Sequence, residues 1–165
     1  MRWVFNFTAY LCVIISFCIQ CKQSPAKFNS IKKIDENWVL HVAEKDTFLS
    51  VNIPSNVHSD LHHHQLIEDP FWENNELKLR WIEDENWTYS TTFQLAEEEF
   101  TYEFINLIFE GLDTYSEVKL NNQLVFSSDN MFISYEEEVK SLLLIGENTL
   151  EIKFTSPNLD VDRHF

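Results

Sequence analysis

The sequence predicts an all-β protein, an antiparallel β-sandwich with one short helix. Short β-prone segments recur along the chain, and in most of them apolar and polar residues alternate with a period of two, as in strands with one buried face. Polar turns separate these segments, and their number is typical of a sandwich. With 165 residues, of which 44% are hydrophobic and 15% aromatic, the chain has the length of one domain and enough apolar surface for a core.

The predicted elements follow one another in a simple order. Residues 38–43 and 47–52 form two strands joined by a polar turn. Residues 53–56 end this pattern, and Ser55 or Asn56 can cap a short helix over residues 57–66. Further strands are predicted at residues 87–93, 102–109, 115–120, 123–126 and 149–155.

Three segments carry more specific expectations. Residues 102–109 are apolar on both sides, which predicts a strand covered on both faces. Asn121 and Asn122 lie between two β-prone segments and predict a two-residue hairpin loop, since Asn tolerates positive φ. The glutamate runs 97–99 and 136–138 are expected at solvated loops or edges.

The N-terminal segment differs in composition from the rest. Residues 1–21 contain one charge, Arg2, and a long apolar stretch, and a polar segment begins at Lys22. This pattern predicts a signal peptide at 1–21, a linker at 22–33 and a sandwich domain at 34–160 that is truncated at its C-terminal end. The alternative is a retained membrane anchor, although polar residues interrupt the stretch and it barely spans a core of ~30 Å.

All three cysteines, Cys12, Cys18 and Cys21, lie in this first segment. The predicted domain therefore has no disulfide, cysteine-bound zinc or thiol nucleophile. Cys21, followed by Lys-Gln-Ser, resembles the lipidated cysteine of a bacterial lipoprotein signal and would give the protein a membrane lipid anchor. Ordinary cleavage nearby is the alternative. Both interpretations predict export, with the protein periplasmic, held in the outer membrane as a lipoprotein, or secreted.

Charge and glycine content exclude several classes of partner. The 27 acidic and 12 basic residues give a net charge of −15, which repels nucleic acids and anionic lipid surfaces. The two glycines, Gly111 and Gly146, are too far apart for a glycine-rich phosphate loop. We therefore expect no nucleic-acid partner and no cofactor.

The histidines at residues 58–64 have one feature of a metal site. His58 and His62 are four residues apart, the spacing that zinc ligands use on a helix. The glutamate of an H-E-x-x-H motif is missing, and His62, His63 and His64 point in three directions. We expect a hydrated surface without metal. The sequence has no G-x-S-x-G motif, which would indicate a serine nucleophile. With 27 acidic residues, many pairs of carboxylates could act in glycoside hydrolysis, and the sequence does not distinguish among them, so we assign no catalytic residue.

Three tryptophans could stack on a sugar ring: Trp72, Trp81 and Trp87. Trp87 is in register with Tyr89 and is assigned to the core. Trp72 follows the turn at Asp69-Pro70 and is the better candidate for an exposed binding surface.

Several motifs follow one another along the chain. They are Ile67-Glu-Asp-Pro-Phe-Trp72 with Asn75-Glu76, Trp87-Thr-Tyr89, Phe109-Glu-Gly-Leu-Asp-Thr-Tyr115, Asp129-Asn-Met-Phe132 and Gly146-Glu-Asn-Thr-Leu150. In this order and spacing they resemble the N-terminal domain of the β-mannosidases of glycoside hydrolase family 2, from about Trp38 to Pro157. Departures from the family pattern are Asn86, where aspartate is common, and Glu73-Asn74, where a turn with glycine is common.

The resemblance implies a galactose-binding-like jelly roll at the start of a larger enzyme. The two catalytic glutamates of that family lie in a later (β/α)₈ domain, which would be the partner of this one. The chain is thus predicted to be a non-catalytic, sugar-binding-type domain of an exported exo-β-mannosidase that removes terminal β-mannose. Trp72, Asn75 and Glu76 are the expected contacts to sugar or to the catalytic domain. The alternatives are a stand-alone carbohydrate-binding module anchored at Cys21 and, third, a structural or adhesive lipoprotein without a ligand.

Overall fold

Two antiparallel sheets of unequal size make up the fold. The computed structural model describes residues 30–43 and 46–158, and the described residues from Lys33 onward form one compact unit. Six strands form the larger sheet in the order β2-β1-β3-β8-β5-β6, and β4 pairs with β7 in the smaller one. The strands are β1 (Trp38–Val42), β2 (Thr47–Val51), β3 (Trp87–Leu95), β4 (Asn106–Phe109), β5 (Ser116–Leu120), β6 (Gln123–Ser128), β7 (Tyr135–Glu138) and β8 (Gly146–Phe154).

The described residues contain more helix than predicted, although every helix is short. The helices are α1 (Val57–His63), α2 (Asn75–Lys78), α3 (Glu97–Phe100) and two 3₁₀ helices at Arg80–Asp84 and Lys140–Leu142. Helix α1 starts as predicted, because the Asn56 side chain accepts a hydrogen bond from Ser59 N at 3.0 Å. It ends three residues early, since Gln65 has a φ of 58°, which no helix accommodates.

The core lies on the inner face of the six-stranded sheet. Leu40 and Val118 are fully buried there, and Trp87 joins them at 6% exposure, as its period-two pattern predicted. Leu61 of α1 and Ile82 of the 3₁₀ helix at Arg80–Asp84 belong to this core, and residues of β4 and β7 pack against it. The second layer of the sandwich is therefore part helix and part sheet.

The prediction for residues 102–109 was wrong in two respects. Strand β4 covers only Asn106–Phe109, and its outer face is open: Ile108 is 58% exposed. Leu107 and Phe109 alternate inward and are partly buried, so the strand has one covered face, and the apolar residues before it lie in a turn. The glutamate run 136–138, expected at a loop or edge, forms most of β7 and is exposed.

The loop between β5 and β6 forms the predicted hairpin. Asn121 and Asn122 have φ values of 51° and 65°, as a type I′ turn requires. The side chain of Asn121 also leaves the hairpin: its Nδ2 donates to Asn148 Oδ1 at 2.8 Å, and its Oδ1 accepts from Thr149 N at 2.9 Å. The turn is thereby fixed to the first half of β8.

Asn148 is the most completely satisfied polar side chain in the described core, at 1% exposure. Its Oδ1 accepts from Leu144 N as well as from Asn121, both at 2.8 Å. Its Nδ2 donates to Leu144 O at 2.7 Å and to Gly146 O at 3.0 Å. Two donors and two lone pairs are all that an asparagine amide has, so every hydrogen-bonding position is used.

A buried carboxylate joins α1 to the larger sheet. Asp60 is 6% exposed and accepts hydrogen bonds from Ser55 Oγ at 2.5 Å and from Tyr89 OH at 2.8 Å. Burial raises the pKa of the Tyr89 phenol far above its usual value, and the hydrogen bond to Asp60 and the charge of Asp60 add to this shift. Tyr89 therefore stays protonated and remains a donor to Asp60.

We predict that Asn148→Ala lowers the free energy of unfolding by about 3 kcal/mol, because it removes the partner of two backbone carbonyls and one backbone N–H and one of the hydrogen bonds of the Asn121 amide. Asn106 is an exposed asparagine with one surface hydrogen bond, to Glu136, and Asn106→Ala serves as the control, with an expected change below about 0.5 kcal/mol. Urea unfolding of both variants measures the difference. Equal losses in the two variants would contradict the role assigned to Asn148.

Candidate functional site

The loop at residues 68–75, here called the aromatic loop, connects the end of α1 to α2. Asp69 organises its first half: Oδ1 accepts from Phe71 N at 2.9 Å, and the Asp69 carbonyl accepts from Trp72 N at 3.2 Å. An aspartate that bonds the backbone two residues ahead makes a tight turn, and Pro70 fixes φ inside it. The Asp-Pro pair therefore positions the two aromatic residues that follow.

Asn75 closes the aromatic loop. This residue is 6% exposed, and its Nδ2 donates to the carbonyl of Asp69 at 3.0 Å. Its Oδ1 accepts from Lys78 Nζ at 3.1 Å, and the same ammonium lies 3.3 Å from Glu68 Oε2. Asn75 thus joins the two ends of the loop, and its amide is occupied within the domain.

The tip of the loop presents apolar side chains to solvent. Phe71 is 97% exposed, Trp72 65% and Leu77, one turn further, 62%. A shallow cavity of about 280 Å³ with both apolar and charged lining lies between residues on either side of the tip. Its aromatic residue is Trp81, and a ring with carboxylate and ammonium groups in one cavity suits a sugar, whose C–H face packs on a ring while its hydroxyls hydrogen-bond. The cavity is lined by Leu66, Ile67, Glu68, Asn75, Lys78, Leu79 and Trp81.

One residue of the loop has unfavourable backbone geometry. Glu73 has a φ of 48°, in the left-handed region where glycine is preferred. Glu73 belongs to the pair Glu73-Asn74, at which the resemblance leads us to expect a turn with glycine. The left-handed conformation costs a non-glycine residue roughly 1–2 kcal/mol.

The three predicted contact residues lie together but have different environments. Trp72 and Glu76 are exposed, whereas Asn75 is buried and holds the loop. Phe71 and Lys78 also belong to this surface and were not singled out from the sequence. The Asp-Pro turn, which directs two successive aromatic residues outward, was the available signal for Phe71. Cys21 and the predicted signal segment 1–21 lie outside the described residues.

The histidines do not gather into a site. His62 and His63 are exposed on α1, and His64 Nε2 lies 2.8 Å from the carbonyl of Ser50. Within residues 30–43 and 46–158, no three His, Cys, Asp or Glu side chains lie close enough together to bind a metal ion. In the same part of the chain, no helix has the length and apolar character needed to cross a membrane.

Asn86 shows how the second departure from the family pattern is accommodated. Its Oδ1 accepts a hydrogen bond from Ser156 N at 2.9 Å, so it supplies the acceptor that an aspartate would. Ser156 Oγ in turn donates to the carbonyl of Glu83, and Asn158 Nδ2 donates to Asp84 Oδ1 at 2.8 Å. The chain after β8 is thereby tied to the segment in front of β3.

Two antiparallel sheets with a few short helices fit a galactose-binding-like sandwich domain. The family model for the glycosyl hydrolase 2 galactose-binding domain-like family matches residues 38–164, and the chain belongs to that family. The resemblance seen in the sequence motifs is thus confirmed.

Several of the similar proteins are β-mannosidases. β-Mannosidase B of Thermothelomyces thermophilus is 41% identical over 129 residues, which cover 76% of this chain and 15% of the relative. β-Mannosidase of Mus musculus is 39% identical over 120 residues, 73% of this chain and 14% of the relative. The crystal structure of a β-D-mannosidase from Dictyoglomus thermophilum has a TM-score of 0.78 and 40% identity, covering 82% of this chain and 17% of that one. The chain thus spans about a seventh of the length of the two named relatives.

We predict that Glu73→Gly raises the free energy of unfolding by about 0.5–1 kcal/mol, because the relief of the left-handed strain exceeds the extra entropy of glycine in the unfolded chain. Glu76→Gly removes the same charge inside α2, where glycine is unfavourable, and should lower stability by about 0.5–1 kcal/mol. Thermal and urea unfolding of the two variants compare them directly. If Glu73→Gly destabilises the protein as much as Glu76→Gly does, the strain argument is wrong.

Proposed function

We propose that this chain is the non-catalytic N-terminal domain of an exported exo-β-mannosidase. In the whole enzyme, a (β/α)₈ domain would supply the two carboxylates that hydrolyse terminal β-mannose with retention. The family match over residues 38–164, with β-mannosidases as the similar proteins, carries this proposal.

The aromatic loop is the surface through which the domain would contribute. Phe71 and Trp72 lie on a loop whose ends Asn75 joins, so little backbone entropy of the loop is lost when they contact a partner. We propose that Trp72 and Glu76 contact the sugar or the wall of the catalytic domain, and that Asn75 positions them. Export and lipidation at Cys21 belong to the same proposal and are supported by the charge and hydropathy pattern of residues 1–22.

We predict that the 165-residue chain does not hydrolyse a chromogenic β-mannoside, since the proposal places both catalytic carboxylates in another domain. Release of nitrophenol from p-nitrophenyl β-D-mannoside measures this, with a complete β-mannosidase as the positive control. Turnover that co-purifies with the chain and disappears on substitution of one of its carboxylates would contradict the proposal.

The alternative function is a stand-alone carbohydrate-binding module, and the 65% exposure of Trp72 is the observation in its favour. The two functions differ in what the isolated chain binds. A drug-sized or sugar ligand is normally buried over most of its surface, whereas the surface around Trp72 is open. Under the leading proposal, the catalytic domain would supply the residues that enclose the sugar on its other side.

We therefore predict that mannose and mannobiose bind the isolated chain with a Kd weaker than about 1 mM. Tryptophan fluorescence during titration with each sugar is the measurement. Trp72→Ala tests whether any quenching arises at the loop, and Phe48→Ala is a matched control, because Phe48 is 64% exposed on β2. Saturable quenching that Trp72→Ala abolishes and Phe48→Ala preserves would favour the stand-alone module.

A further inference from the structure

The loop between β6 and β7, residues 129–134, exposes three consecutive apolar side chains. Met131 is 40% exposed, Phe132 86% and Ile133 47%. The Asp129-Asn-Met-Phe132 motif lies in this loop and contributes no side chain to the core clusters of the described residues. Adjacent apolar side chains that remain in solvent are a feature of interaction sites.

Hydrogen bonds to Tyr135 hold this loop in shape. The Tyr135 hydroxyl accepts from Asp129 N at 3.3 Å and from Asn130 N at 3.1 Å, and it donates to the carbonyl of Asn130 at 3.0 Å. Its ring stacks on Phe126, with the ring centroids 5.0 Å apart, and Phe126 packs against the core. Asn130 Oδ1 accepts from Phe132 N at 2.9 Å. The loop is therefore ordered before it contacts a partner, which lowers the entropic cost of binding.

The 129–134 loop lies at the end of the larger sheet where the chain leaves it. Ser116, the first residue of β5, lies between Ser128, the last residue of β6, and Phe154, the last residue of β8. Beyond β8, the chain is hydrogen-bonded to the residues in front of β3. In the order β3-β8-β5-β6, strands β3 and β6 are three strand spacings apart, about 14 Å. The loop and the exit of the chain thus share one end of the sandwich.

The chemistry of the loop disfavours three other occupants. Sugar hydroxyls need polar partners, and the side chains of Met131, Phe132 and Ile133 carry no charged group and no hydroxyl. A second copy of the chain has the same net charge of −15, and an anionic lipid surface is also negative, so both are repelled. Polypeptide that continues from the exit of the chain is covalently held beside the loop, at a high effective concentration.

The part of the proposed enzyme that follows this domain is large enough to reach the loop. A (β/α)₈ domain has about 250 residues, which corresponds to a radius of gyration of about 18 Å. This radius exceeds the separation of about 14 Å between the strand next to the exit and the strand that leads into the loop. In β-mannosidase B of Thermothelomyces thermophilus, the matched region is 15% of the protein, so most of that relative lies outside it.

We propose that, in the complete enzyme, the 129–134 loop packs against the catalytic part of the same polypeptide, with Phe132 as the buried anchor. This inference rests on the proposed function and adds a second contact surface to the aromatic loop. Met131, Phe132 and Ile133 lose their exposure when the catalytic part is in place, and Tyr135 holds them in position for this contact.

Hydroxyl-radical footprinting compares side-chain exposure in the 165-residue chain with that in the complete enzyme translated from the same gene. Oxidation of Met131 and Phe132 should be about fivefold or more slower in the complete enzyme, because oxidation follows solvent exposure. Phe104 is the matched control, since it is 65% exposed and its neighbour Ile105 packs with Leu95, at the opposite end of β3. Phe104 should be oxidised at the same rate in both proteins.

A pair of variants measures the energetic contribution of the contact. Phe132→Ser should lower the Tm of the complete enzyme by about 2 °C or more and change that of the 165-residue chain by less than about 1 °C, because the lost contacts exist only when the catalytic part is present. Phe104→Ser should shift the two Tm values equally.

The outcomes separate this inference from the proposed function. If Met131 and Phe132 are as reactive in the complete enzyme as in the 165-residue chain, or if Phe132→Ser shifts both Tm values equally, the inference is overturned, whereas β-mannosidase activity of the complete enzyme would uphold the proposed function. A complete protein without that activity would contradict the proposed function and this inference together.

Discussion

The fold depends most on one buried amide. Asn148 joins the residues before β8 to the β5–β6 hairpin turn, and β8 is the central strand that pairs with both β3 and β5. Together with Asn121, it forms the side-chain hydrogen bonds that join these segments at this end of the larger sheet. Since an asparagine amide offers two donors and two acceptors, it can join these segments without burying a charge, which would be far more costly.

The same chemistry recurs wherever the chain turns. With two glycines in 165 residues, the turns rely on asparagine and aspartate, whose short side chains bond to nearby backbone and tolerate positive φ. The aromatic loop is built in this way from Asp69 and Asn75, as the hairpin is from Asn121. Gln65 and Glu73 are the exceptions, because they have a positive φ without a short side chain to compensate.

The sequence predicted the larger sheet well because its strands bury one face and therefore show a period of two. It failed where that period is absent. Strand β7 is mostly glutamate and reads as solvated, and β4 was read as fully covered because Ile108 is apolar yet exposed. At the candidate site, the Asp-Pro turn indicated an exposed Trp72. The burial of Asn75 was not predictable, since it depends on the carbonyl of Asp69 being brought back by the fold of the loop.

The hydrogen bonds around Ser156 have a mechanical consequence. They join the segment after β8 to Glu83 and Asn86, and Asn158 donates a further hydrogen bond to Asp84. Glu83 and Asp84 belong to the 3₁₀ helix that follows the aromatic loop and α2. A displacement of the polypeptide at Asn158 would therefore be felt first by that helix, before it could reach the interior of the sheet. The end of β8 and the segment that follows the aromatic loop are thus mechanically coupled through the 3₁₀ helix at Arg80–Asp84.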